Sequence, residues 1–167
     1  MARRHDALIP LSQDHRSALA LAFRLHNPAP PGPVTPTTPA STPASRADET
    51  LAFFEMHLTR HFAIEEELLF PSLRRFGIPP SVEPGLLDRL EGEHRELAAL
   101  RTRIAEATTT SETTLCAALT AFADLLECHV RTEERGLFVH FPAELPDAAV
   151  RELQAAIHAR RPPDGKK

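Results

Sequence analysis

The chain has 167 residues, 42% of them hydrophobic and 25% charged, with a formal net charge of −4. These are the proportions of a soluble globular protein, and the length suits one domain with a substantial core. The slight negative charge argues against nucleic acid as the main partner, because phosphate binding needs a basic surface. The aromatic residues are nine Phe, with no Tyr, which argues against chemistry that stores an electron on a tyrosyl ring.

The opening MARRHDALIP has two arginines but no long apolar run, so no signal peptide is expected. The longest apolar stretch, Ala18 to Phe23, is far too short to span a membrane. A first helix is expected with Ser12 as its cap and Leu11, His15, Ala18, Ala22 and Leu25 on its inner face. Residues 28–46 hold seven of the sixteen prolines. Each proline removes a backbone donor and restricts its predecessor, which predicts a flexible, partly extended loop within a single domain over residues 1–160. Residues 161–167 read as a disordered tail.

The spacing predicts a second helix from about Asp48 to Leu73, with Leu51, Phe54, His57, His61, Glu65 and Leu68 on one side. A third begins near Pro84 and carries Leu87, Leu90, His94, Leu97, Arg101 and Ile104. The fourth begins near Ser111 and lines up Leu115, Ala118, Phe122, Leu125, His129 and Glu133. A short fifth follows Pro146, from Ala148 to about His158. No segment alternates with the period of two that strands require. The fold class is therefore all-α, an antiparallel up-down-up-down four-helix bundle with a short extra C-terminal helix. Cys116 and Cys128 fall in one apolar helical pattern, twelve residues apart, too far to pair. Free buried thiols of this kind fit a reducing cytoplasm.

One ten-residue pattern occurs twice. HFAIEEELLF at 61–70 and HVRTEERGLF at 129–138 share His, two Glu, Leu and Phe at equivalent places. A shorter echo pairs Asp14-His15-Arg16 with Glu93-His94-Arg95. His15, His61, His94 and His129 all lie on apolar faces, where an unpartnered ring costs about 1–3 kcal/mol. Glu65 and Glu133 follow their His by one turn, and burying two carboxylates together without cations is costly. A pair of metal ions resolves all of these costs. Imidazole and carboxylate without thiolate suit iron or manganese, and zinc less specifically. Four His, two bridging carboxylates and an oxo or hydroxo bridge leave about two of twelve octahedral positions open. His57, Glu66 and Glu134 are candidates for an extra ligand or for supporting hydrogen bonds. Of these, the two Glu are rotated about 100° away and are better placed for support. His5, His26, His140 and His158 lie off the inner stripes and read as non-ligands.

The ordered set His15, His61-x-x-x-Glu65, His94 and His129-x-x-x-Glu133, with LLFP at 68–71, resembles the hemerythrin-like HHE cation-binding domains. The likeness runs from His15 to about Leu153 apart from the Pro-rich insertion. It implies a non-haem di-iron centre in a four-helix bundle, with the four His as terminal ligands and Glu65 and Glu133 bridging. The oxygen-carrying members have two His four apart on their third metal-bearing helix, whereas Leu90 and Ala98 flank His94 at that spacing. This chain is thus similar to the broader bacterial type. The function expected is binding or sensing of O₂, NO or peroxide. A di-iron enzyme or iron-handling protein, reducing peroxide or NO or repairing iron–sulfur clusters, is the alternative. A metal-stapled interaction bundle is the third reading.

Overall fold

The computed structural model describes residues 5–28, 42–141 and 145–160. The expected flexibility of the Pro-rich segment and the disordered tail concern positions mostly outside that set. A 3₁₀ turn, Asp6–Leu8, runs directly into α1 (Ile9–His26). Pro10 sits in its first turn, where the missing N–H is not needed. Ser12 is therefore not the cap; it is buried inside the helix, and His5 Nδ1 instead accepts from the Ala7 amide at 3.2 Å.

A second continuous helical rod is made of α2 (Pro43–Phe53), a π turn at Phe54–Leu58, α3 (Thr59–Ile64), a second π turn at Glu65–Leu69, and α4 (Phe70–Phe76). The rod starts at Pro43, so helix replaces loop three residues before the expected boundary at Arg46. Thr42 Oγ1 accepts from the Ser45 amide at 3.1 Å, and Pro43 is tolerated because it occupies the first turn. Each π turn takes an extra residue. Leu58 and Leu69 are accordingly buried, whereas His57 and Leu68, which regular spacing puts inside, are half-buried. The rod ends at Gly77, whose φ of 118° suits only glycine.

The remaining helices are α5 (Leu86–Ala107), α6 (Glu112–Gly136) and α7 (Asp147–Ala159). Ser111 caps α6 as expected, its hydroxyl accepting from the Thr114 amide at 3.3 Å. Among the described residues there is no strand. The four long helical rods form the bundle: α6 packs on α1 and α5, and α2 packs on α5 and α6. The extra helix, α7, lies against the 3₁₀ turn and the second π turn. By length and composition α6 could also cross a membrane, but its apolar face is covered by α1 and α5.

The core divides into two apolar clusters. One is built around Leu8, Leu11, Phe70, Leu90 and Phe138, the other around Leu21, Phe54, Leu97, Phe122 and Leu126. The repeated Leu69-Phe70 and Leu137-Phe138 all belong to the first, which plugs one end of the bundle. The buried polar residues fall between the two clusters: His15 lies between Leu11 and Ala18, and His94 between Leu90 and Leu97. Cys116 is half-buried and Cys128 exposed, correcting the expectation of buried thiols. Leu126, His129 and Val130 take the inward positions on that turn and leave Cys128 outside.

Candidate metal centre

Four helical rods each send one imidazole into the gap between the clusters. His15, His61, His94 and His129 are at most 3% exposed, and Glu65 and Glu133 are wholly buried. Their ligand atoms form two overlapping groups, His15–His61–Glu65–Glu133 and His94–His129–Glu65–Glu133. Both carboxylates belong to both groups. Glu65 Oε1 lies 3.1 Å from His61 Nε2, while its Oε2 lies 3.4 Å from His94 Nε2. Glu133 Oε2 lies 3.0 Å from His15 Nε2 and 3.5 Å from His129 Nε2.

The outer nitrogen of every ring is held by an acidic side chain. Nδ1 of His15 meets Glu134 at 2.7 Å, that of His61 meets Asp14 at 3.4 Å, that of His94 meets Glu66 at 2.7 Å, and that of His129 meets Glu93 at 2.8 Å. A carboxylate accepts, so each neutral ring carries its proton on Nδ1 and turns a bare lone pair inward from Nε2. The inward nitrogens lie close in pairs, 3.0 Å for His15–His61 and 3.2 Å for His94–His129. Neither oxygen of Glu65 or Glu133 makes a well-formed hydrogen bond. The interior is thus lined by acceptors facing one another, an arrangement stable only with positive charge between them.

Protons can supply that charge in part. Burial opposes protonation of His61 most strongly, yet the Glu65 charge, the accepting oxygens of Asp14 and Glu65, and the Glu133 charge together lift it to about 10. His15 is also raised, against its burial, by Glu133 and Glu134, and His94 against its burial by Glu65, Glu133 and Glu66. Burial pushes Glu65 up, but His61 and His94 outweigh it and hold the carboxyl well below its ordinary range.

The spacing fits metal ions as well. Two ligands at right angles on an ion with bonds of about 2.1 Å lie about 3.0 Å apart, and opposite ligands about 4.2 Å apart. In the first group three contacts measure 3.0, 3.0 and 3.1 Å, and His15 to Glu65 measures 4.0 Å. The first group therefore fits a cation, and the second holds the same donor types at the looser spacings of 3.2, 3.4 and 3.5 Å.

A family model described as the hemerythrin HHE cation binding domain matches residues 6–141. The chain belongs to the hemerythrin HHE family. No curated protein and no solved structure gives a significant match. Within this hemerythrin fold, all six residues singled out as the ligand set are brought together. Glu66 and Glu134 stand behind His94 and His15. His57 belongs to neither ligand group; its ring rests on Phe53, centroids 4.8 Å apart. Among the His read as non-ligands, His26 faces Asp124 and Glu127 at the surface, and His140 bonds Ser81.

Asp14 and Glu93 were not singled out as site residues. The signal was in the shorter echo, which repeats an acidic residue immediately before His15 and His94. Those acids serve the opposite His of their own half, Asp14 for His61 and Glu93 for His129. The doubled Glu of the long repeat serves across halves, Glu134 for His15 and Glu66 for His94. The contact pattern is thus twofold, like the sequence.

Proposed function

We propose that this hemerythrin-family bundle holds two iron ions, linked by an oxo or hydroxo bridge, and binds or senses O₂, NO or peroxide. The observation that carries the reading is the closed set of four buried Nε2 atoms and two buried carboxylates, whose oxygens make no hydrogen bond among the described residues. Manganese or zinc fits the same donors as a substitute. When bound, iron supplies redox-active, Lewis-acidic positions at which a small oxidant can be held.

The chain's own contributions are distinct. Asp14, Glu66, Glu93 and Glu134 fix the ring tautomers and orientations and add electron density to the inward nitrogens. Glu65 and Glu133 neutralise charge for both positions. The two apolar clusters exclude bulk water, which strengthens every interaction between them. A narrow cleft lined by His15, His57, His61, Phe62 and His129 has a volume of about 10 Å³. That is close to one water, so it favours a diatomic or triatomic ligand over an organic substrate. The unpaired thiols of Cys116 and Cys128 support a cytoplasmic location.

Metal analysis of the purified protein, with optical spectra taken without air, in air and with peroxide, tests the reading. Two irons per chain and a ligand-to-metal band that bleaches and returns reversibly are expected. A single metal per chain, or none retained after anaerobic iron loading, overturns it. Sustained turnover of peroxide or NO would instead assign an enzyme.

A further inference from the structure

A second groove lies away from the centre, between α4 and α7, with a volume of about 190 Å³. Leu68, Pro71 and Phe76 form one wall, and Ala149, Leu153 and Ala156 the other. The two alanines reach no further than a methyl group, so a hollow remains beside them. One charged side chain borders each wall, Arg75 from α4 and Glu152 from α7. The charges nearby are matched: Arg74 pairs with Asp88 and with Glu91 at 2.7 Å, and Arg160 pairs with Glu67 at 2.7 Å. Arg75 and Glu152 form no ion pair among the described residues; Arg75 instead lies over the Phe76 ring, 5.0 Å from its centroid. The Ser72 hydroxyl, also in the groove, already donates to the Leu68 carbonyl at 2.7 Å. Phe76 and Ile78, 36% and 41% exposed, carry the apolar surface past the end of α4.

We infer that this groove is the interface of a symmetric dimer, and that its occupant is the same groove of a second copy of the chain. A small ion of either sign would meet a like charge on one wall. The complementary surface carries both charges in the reverse order, and the groove itself, turned over, is such a surface. A twofold axis along the groove lays the α4 wall of one copy on the α7 wall of the other. Arg75 then faces the partner's Glu152, and Glu152 faces the partner's Arg75, which is the reciprocal pairing of an isologous contact. The same rotation sets the Phe76 ring over the partner's Ala149 and the partner's Ala156. A hollow of about 150 Å³ takes a benzene ring, so the groove volume of about 190 Å³ is sufficient for a phenyl group. Covering that ring also removes apolar surface from water. Leu68 belongs to the second π turn, which begins at Glu65, so the contact braces the segment that carries one of the central carboxylates. The inference goes beyond the metal-centre reading and does not depend on it.

Sedimentation velocity of the purified full chain over a concentration series tests the interface. The wild-type protein should move to twice the chain mass. Arg75→Glu and Glu152→Arg each place like charges opposite one another at both reciprocal contacts, and each should weaken dimerisation about tenfold or more. A one-to-one mixture of the two variants restores an opposite pair at both contacts of the mixed dimer, so it should regain wild-type dimerisation. Misfolding of either variant cannot produce that rescue. Phe76→Ser keeps the test decisive if a charge variant does not fold: it should weaken dimerisation about tenfold, and wild-type dimerisation in it overturns the interface. A wild-type chain that stays monomeric throughout the series leaves the groove to a different protein or a small ligand and overturns the inference. Single charge variants that dimerise like wild type, or a mixture as weak as its components, do the same.

Discussion

Without metal, the protein should lose stability as pH rises from about 6.5 to 10, and loading it should remove that dependence. His61 titrates at 6.5 in an unfolded chain and at about 10 in the folded one, where Glu65, Asp14 and Glu133 outweigh the opposing effect of burial. Between those values the folded state holds a proton that the unfolded state has released, so unfolding becomes easier with each step up in pH. The stabilisation is complete below 6.5 and gone above about 10. At about 1.4 kcal/mol per pH unit, that shift is worth at most about 5 kcal/mol. For a chain of this size it corresponds to a fall in Tm of roughly 10–20 °C. His15 and His94 are displaced in the same direction and add to the effect. Glu65 works oppositely: its lowered carboxyl gives stability that is lost as pH falls below about 4.5. Metal-free protein is thus expected to be most stable between about pH 4.5 and 6.5. Bound metal takes the place of the protons on Nε2, so the loaded protein should keep a nearly level Tm over the alkaline range. Thermal melts of chelated and loaded samples, from pH 6 to 10, make the comparison. A chelated Tm that stays level or rises across this interval refutes the reasoning.

Replacing Glu65 or Glu133 with Ala should sharply reduce the iron retained; two irons at wild-type affinity in both variants would sink the bridging assignment. Removing the carboxylate behind a ring should weaken metal binding by about 10–100-fold. The effect should be larger for Glu93→Ala, at 14% exposure, than for Glu66→Ala, at 42%, where water can take over the hydrogen bond. Competition against a chelator of known affinity measures both, and equal losses would contradict the role of solvent. Phe122→Ala should destabilise the loaded protein by about 3–5 kcal/mol in denaturant melts, because the ring is fully buried in the cluster above the centre. A loss under 1 kcal/mol would show that the bundle can collapse into that space.

Much of the site was legible because metal ligands need both a chemical type and a helical spacing. His-x-x-x-Glu on an apolar face meets both, and the six residues so marked converge. The all-α class was legible for the related reason that a stripe repeating every three to four residues can bury itself only as a helix. Local boundaries were less so. Ser12 has the chemistry of a cap, but the 3₁₀ turn at Asp6–Leu8 starts the helix before it. His57 and Leu68 follow the regular stripe, but each π turn takes in an extra residue and moves Leu58 and Leu69 to the inside instead. A single stripe cannot reveal such a turn, because the surrounding helices decide which residue fills the available space.

The sequence by itself determined which residues meet, since the repeat dictates helix faces and the faces dictate a shared interior. Only the tertiary structure decided which acid supports which ring. Asp14 serves His61 and Glu134 serves His15, pairings 47 and 119 residues apart that depend on how the helices pack. The same holds for the difference between the two halves. Phe62 and Val130 occupy equivalent places in the repeat, yet only packing brings both into the wall of one cleft with Ala18 from α1. Side-chain volume is written in the chain, but empty space exists only between helices that have already packed.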